Sequence, residues 1–304
     1  MRQARRWIER FLGRLSSERR LSPMTCETYR RDLDLFIDFC RRHGVNDLNM
    51  LTPAEIRTLI AERHLRGVSA QTIRRMLSAL RTFFRFLMQE GAMAHNPAAD
   101  IPAPRAGRRL PEVLDVDRVA SLLMVPNASP LAVRDRAIME LLYSSGLRVS
   151  ELVALDLADL RLAEGLVRVQ GKGRKVRVVP VGQTACRVLA EWLELRGQFS
   201  KIGEAAVFTN QRGDRLSRRS IQDRLHRWSL LQGLETRVYP HLLRHCCASH
   251  LLESSGDLRA VQELLGHADI ATTQIYSHLD FQHLSQVYDQ AHPRAKRKRP
   301  CSKR

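Results

Sequence analysis

The 304-residue chain contains no run of about 18 apolar residues, the length a membrane-spanning helix requires, so a transmembrane protein is excluded. Its basic opening, MRQARRWIERFLGRLSSERR, lacks the uninterrupted apolar stretch of a secretory signal, and the expected location is the cytoplasm. The six cysteines (Cys26, Cys40, Cys186, Cys246, Cys247, Cys301) include no C-x-x-C pair, which argues against a disulfide framework or a zinc site and for reduced thiols. The vicinal Cys246-Cys247 pair is the one place where oxidation would matter. Internal repeats are absent. Lysine is scarce: six stand against 44 arginines, and only Lys172, Lys175 and Lys201 precede the tail.

What the chain has in excess is positive charge, 50 Lys plus Arg against 32 Asp plus Glu, a net of +18. A field of that sign selects a polyphosphate, with nucleic acid the leading partner. The excess is shared, since residues 1–94 alone hold 18 arginines and 10 acids, a net of +8. Two basic halves suit a clamp around DNA.

Helical periodicity dominates the first part. In LSPMTCETYRRDLDLFIDFCRRHG, Ser22 and Pro23 start a helix that carries Tyr29, Leu33, Phe36, Ile37 and Cys40 on one face, and Gly44 stops it. In SAQTIRRMLSALRTFFRFLMQEG, Ile73, Met76, Leu77, Leu80, Phe84 and Leu87 form an apolar stripe, while Gln71, Arg74, Ser78, Arg81 and Arg85 form a second, basic one. That second stripe has the donors that DNA phosphates and base edges accept; a solvated helix face is the plainer alternative. Three prolines and no apolar period mark residues 95–110 as a linker, which separates a helical DNA-binding domain, 1–94, from a second domain, 111–293. There the spacing predicts a helix, a turn and a helix across VRDRAIMELLYSSGLRVSELVAL, a β-hairpin in GLVRVQGKGRKVRVVPV with its turn at Gly171 to Gly173, a short strand in AVFTN, and helices from Ser217 onward. The expected fold is mainly α with a small antiparallel β-sheet. The last eleven residues, 294–304, carry seven basic groups and no acid and are expected to be disordered.

The candidate chemistry gathers in the second domain. In YPHLLRH, Pro240 suits the first position of a helix, and His241, Arg244 and His245 then share one face near its N-terminus, with Ala248, Leu251 and Leu252 as the docking stripe. Lys172, at the hairpin tip, is a cation that can give up a proton where an arginine cannot. In LLGHADIATTQIYSH, a helix over Asp257 to Leu265 stops at Gly266, His267 follows, and Tyr276 lies nine residues further on. A tyrosine with a pKa near 10 is a poor nucleophile unless cations stand ready.

Arg148 in YSSGLRVSEL, Lys172, His241 and Arg244 in HLLRH, His267 in LLGH and Tyr276 occur in the order and spacing of the tyrosine site-specific recombinases, the phage integrase family, which this chain resembles over nearly its whole length. The resemblance implies a two-domain, C-shaped DNA clamp that cuts and rejoins DNA through a 3′-phosphotyrosyl link on Tyr276, without metal, ATP or other cofactor. It implies catalytic roles for Arg148, Lys172, His241, Arg244 and His267, with Glu151 in support. The stretch LLESSGDLRAVQELLGHADIATTQIYSHLDFQHL is similar to the branch that resolves chromosome dimers, which implies a heterotetramer with the related recombinase XerD on a dif-like site, activated at cell division by the FtsK DNA translocase. One departure stands out: LLRHCCA carries two cysteines where relatives often have Ser or Thr followed by Phe.

Rival classes remain on the residues. A phage or plasmid integrase and a type IB topoisomerase share the tyrosine chemistry. An architectural DNA-binding protein of the same fold would not need the full catalytic set. A metal-dependent nuclease built on His241, His245 and His267 would want carboxylate or cysteine ligands where HLLRH supplies arginine. Finally, DFQHLSQVYDQ puts Phe281, Leu284, Val287 and Tyr288 on one side of a short helix, which packs either on a neighbouring protomer or back on its own domain.

Overall fold

The computed structural model describes residues 2–17, 23–104, 113–126, 128–171, 176–266, 287–288 and 290–295. The chain forms two compact units, Met1–Arg109 and Leu110–Arg304.

The first unit is helical among its described residues: α1 (Arg2–Ser17), α2 (Pro23–Arg42), α3 (Pro53–Leu65) and α4 (Ala70–Gln89). Local chemistry sets the boundaries. Thr52 and Glu55 form a reciprocal capping box at the start of α3, and Ser69 caps α4 by accepting from Thr72 N–H. The apolar stripes expected on α2 and α4 are the core: Leu33, Phe36, Ile37 and Cys40 pack with Ile73, Met76, Leu77, Leu80, Phe84 and Leu87, and α1 adds Phe11 edge-on to Phe83. Residues 95–104, assigned to a linker by composition, belong to this unit. Ala98 and Ile101 are buried, and the Arg81 guanidinium donates to the carbonyls of both. Packing that depends on one distant arginine leaves no mark in local composition.

In the second unit α5 (Val116–Leu123) leads into α6 (Pro130–Ser145), which is buried on nearly every side. Gly146 ends α6 in the left-handed conformation (φ 57°), where a Cβ would press on Leu265 and Cys247, and α7 (Val149–Ala154) follows. A three-stranded antiparallel sheet, β1 (Leu160–Arg161), β2 (Leu166–Gln170) and β3 (Val176–Pro180), pairs Val167 with Val179 and Val169 with Arg177. The hairpin is where the alternation predicted it. AVFTN is not a strand of this sheet; it joins its surroundings through isolated bridges, Asp156 to Ala206 and Thr209 to Arg215. The remaining helices are α8 (Gln183–Arg196), α9 (Arg218–Leu231), α10 (Pro240–Ser255) and α11 (Leu258–Leu265).

The C-terminal segment bears on one open alternative and moves one expected boundary. Val287 and Tyr288 pack on their own unit: Tyr288 is fully buried, stacked on His292, with its hydroxyl 2.6 Å from Ser144 Oγ. Order also runs past residue 293, because Ala295 is buried and Arg294 lies 3.4 Å from the buried Glu140 carboxylate. Arg294, the first residue of the basic run, is held by this buried counter-ion, and residues 296–304 lie outside the described residues. Phe281 and Leu284 lie outside the described residues.

Candidate active site

Three chain segments meet around Glu151. It stands in the first turn of α7, almost fully buried, and accepts the Arg148 backbone N–H at 2.8 Å and Arg148 Nη1 at 3.0 Å. From β3, Arg177 reaches both carboxylate oxygens, at 2.7 and 3.0 Å, in the bidentate fork that suits a guanidinium. Burial pushes the Glu151 carboxyl up, but the bonds from Arg177 and Arg148 outweigh it and hold it below the usual carboxylate range.

Arg244 comes from α10. Pro240 is the first residue of that helix, as expected, yet its docking face is broader than the predicted stripe: Leu242, Leu243, Cys246, Cys247, His250 and Leu251 are buried, while Leu252 is exposed. Arg244 itself is 8% exposed and donates to two carbonyls, Gly146 O and Leu265 O, the latter at 2.6 Å. Arg148 Nη2 takes the next carbonyl, Gly266 O, at 3.4 Å. Both arginines therefore satisfy carbonyls that the ends of α6 and α11 leave without helical partners. Burial, then the adjacent Arg148 charge, lowers the Arg244 guanidinium to about 10, so it remains a cation at neutral pH.

Three guanidiniums against one carboxylate leave an excess of two positive charges, with Arg148 and Arg244 both held by backbone carbonyls. Arg244 spends two of its five N–H donors on carbonyls and Arg148 is about one-third exposed, so donors remain for an oxyanion. His241, in the first turn of α10, is exposed, and His245 is half-buried. Lys172, His267 and Tyr276 lie outside the described residues; strand β3 begins four residues after Lys172, and Gly266 immediately precedes His267. No group of His, Cys, Asp and Glu able to hold a metal occurs among the described residues.

Sequence reasoning missed Arg177. Its signal was strand phase: it faces buried Val169 across the ladder and shares the inward side with Val179, where a cation demands a buried partner. The vicinal thiols are poor candidates for oxidation. Both are buried, and burial pushes Cys246 up and Cys247 up to about 12. On α4, Gln71, Arg74, Ser78 and Arg85 are exposed together; Arg81 stands apart, its donors taken by Ala98 and Ile101, and Arg74 also reaches Pro104 O at 3.3 Å.

Two guanidiniums held by backbone carbonyls, with donors to spare, thus stand on a mostly helical domain with a small antiparallel sheet that follows a helical unit in the chain. Residues 112–283 match the phage integrase family, and residues 8–91 match the phage integrase N-terminal SAM-like domain. Tyrosine recombinase XerC of Alcanivorax borkumensis is 53% identical over 295 residues, 96% of this chain and 95% of that protein. Tyrosine recombinase XerC of Pseudomonas aeruginosa is 52% identical over 96% of each chain. Among solved structures, XerH site-specific recombinase in a post-cleavage complex with a palindromic difH substrate is 25% identical with a TM-score of 0.69, over 89% of this chain and 81% of that one. A λ integrase (75–356) dimer bound to a COC′ core site shares the fold at 22% identity and a TM-score of 0.67, over 89% of this chain and 98% of that one. The chain belongs to the phage integrase family. It is a site-specific DNA recombinase of the tyrosine type.

Proposed function

We propose that Tyr276 opens one DNA strand at a time. A bond forms between its phenolic oxygen and the scissile phosphorus, the bond to the 5′ oxygen breaks, and a 3′-phosphotyrosyl link waits for a second 5′-hydroxyl to attack. The observation that carries this reading is the pairing of Arg148 and Arg244, both tied to helix-end carbonyls beside Glu151, with an excess of two positive charges. Phosphoryl transfer asks for positioning and for charge on the non-bridging oxygens, and this cradle supplies both without reorganising. His241 takes the phenolic proton, Lys172 protonates the leaving 5′ oxygen, His267 donates to the phosphate, and Glu151 aims Arg148. Two other tyrosines of the second unit suit the task less: Tyr143 and Tyr288 are buried, bonded to His250 and Ser144, and burial raises both further from ionisation. The chemistry uses neither ATP nor metal.

The helical unit grips the duplex through the exposed Gln71, Arg74, Ser78 and Arg85. The high identity to XerC proteins supports a role in chromosome-dimer resolution, in a heterotetramer with XerD on a dif-like site, stimulated by FtsK, in the cytoplasm. The test is incubation of the full chain with a nicked suicide duplex from its host's terminus region in excess EDTA. The wild type forms a protease-sensitive DNA adduct, while Tyr276→Phe binds with equal affinity and forms none. An adduct with Tyr276→Phe moves the nucleophile to the exposed Tyr239, and activity lost in EDTA and restored by Mg²⁺ revives a nuclease.

A further inference from the structure

Arg177 joins two parts of the site, Glu151 and the backbone that ends α11. It holds both oxygens of Glu151, which in turn holds Arg148 by backbone and side chain. It also lies against the Gly266 backbone: a Cβ at residue 266 would stand 3.1 Å from Arg177 Nε, and the left-handed φ of +63° bars other residues there too. The Gly266 carbonyl is the one that Arg148 Nη2 contacts. One guanidinium therefore lies between the lysine-bearing hairpin, the arginine turn before α7 and the end of α11.

Two features separate it from an arginine that only fills a core. Arg134, the more deeply buried of the two, has all three nitrogens bonded, to Asp135 and Thr209 O. Arg177 leaves a buried Nε without a hydrogen-bond partner among the described residues, an arrangement that costs stability and is explained by fixing its two terminal nitrogens on Glu151. Glu151 also gains four donor contacts from just two arginines, more than charge neutralisation alone requires.

We propose that Arg177 is a positioning residue for strand cleavage, acting on the scissile phosphate through Glu151 and Arg148 while it ties strand β3 to the arginine turn. The proposal rests on the phosphotyrosyl chemistry given above. Without Arg177, Glu151 loses its anchor and draws the Arg148 guanidinium toward itself, so the oxyanion meets a donor aimed elsewhere. A misplacement of about 1 Å is enough to slow chemistry by up to about 10²-fold.

The experiment uses the full chain on the nicked suicide duplex and measures the single-turnover rate of adduct formation at saturating DNA, together with DNA affinity. Arg177→Met slows the rate by roughly 10–100-fold with affinity within about threefold of wild type, and Arg177→Lys, which reaches only one oxygen at a time, recovers part of the loss. In a Glu151→Gln background, Arg177→Met adds less than about threefold, because the path it serves is already cut. On a duplex with a neutral methylphosphonate at the scissile position, the gap between wild type and Arg177→Met narrows as it does for Arg148→Ala, since less negative charge awaits a guanidinium. Losses that multiply in the double variant overturn the proposal. So does a gap unchanged on the methylphosphonate and matched by a lower unfolding midpoint, which makes Arg177 a structural brace. A wild-type chain that forms no adduct overturns the function itself, and the inference with it.

Discussion

The Tyr288 hydroxyl lies 2.6 Å from Ser144 Oγ, and that same serine oxygen accepts the Gly182 N–H at 2.7 Å. Three parts of the second unit thus close on one oxygen: the end of α6, the turn before α8 and the segment that follows the Tyr276 region. Gly182 is required there, because a Cβ would collide with the Arg294 carbonyl and meet Tyr288 Oη at 3.0 Å. Tyr288→Phe should remove the buried hydroxyl bond while Ser144 keeps its donor from Gly182, at a cost of about 1–2 kcal/mol. For a unit of this size that lowers the unfolding midpoint by about 2–4 °C per kcal/mol. Gly182→Ala should go further and release residues 287–295 to proteolysis. Thermal unfolding with limited proteolysis checks both, and an unmoved midpoint with an uncut segment would show that the contact contributes nothing.

Beside Tyr288, His292 is buried and neutral, its Nδ1 accepting the Arg294 N–H at 3.1 Å. Burial chiefly, with His250 and Arg294 adding to it, brings the imidazole down to about 3. An unfolded histidine titrates near about 6.5. Between those values the unfolded chain binds a proton that the folded chain refuses, so stability falls as pH falls through that window, by at most about 1.4 kcal/mol per pH unit. His250, also lowered by burial, acts in the same direction. Glu140 acts in the opposite sense, because burial raises it and the folded carboxyl keeps its proton to higher pH than the unfolded one. Urea unfolding from pH 7 to pH 5 should therefore show a decline that His292→Asn, which keeps an acceptor for Arg294, makes shallower. Equal slopes for the two chains would remove His292 as the cause.

Much of this architecture is legible in the sequence where one segment decides its own fate. The stripes Leu33 to Cys40 and Ile73 to Leu87 are buried as their spacing predicts, and Pro240 and Gly146 open and close helices as their backbones dictate. The grouping of Arg148, Glu151 and Arg244 is what the family resemblance implies, and the structure sets Arg148 and Glu151 at the start of α7 and Arg244 near the start of α10. What escapes is set by distant partners. Arg177 is silent until Glu151 is placed opposite it, and residues 95–104 read as a linker because Arg81, which holds them, is 17 and 20 residues away. α10 is buried around most of its girth, so its apolar period is too weak to pick out Cys247 and His250 over Leu252. The resting place of Tyr288 depends on Ser144, 144 positions earlier, which no local pattern encodes.

The role of Lys172 is open to a chemical test. As general acid it delivers a proton to a 5′-alkoxide, a poor leaving group. Replacing that bridging oxygen by sulfur makes the leaving group a thiolate, which departs unaided because thiols have pKa values near about 8.5. Lys172→Ala should cleave the normal duplex slower by roughly 10²–10⁴-fold, the worth of a positioned acid, and recover most of that loss on the 5′-bridging phosphorothiolate. Arg148→Ala and Arg244→Ala should show no such recovery, because their guanidiniums, fixed by the carbonyls of Gly266, Gly146 and Leu265, hold charge on the non-bridging oxygens. Adduct formation on the two substrates, compared variant by variant, separates the roles. If Lys172→Ala is equally slow on both, the ammonium serves as a clamp, and the proton must come from His241 or His267.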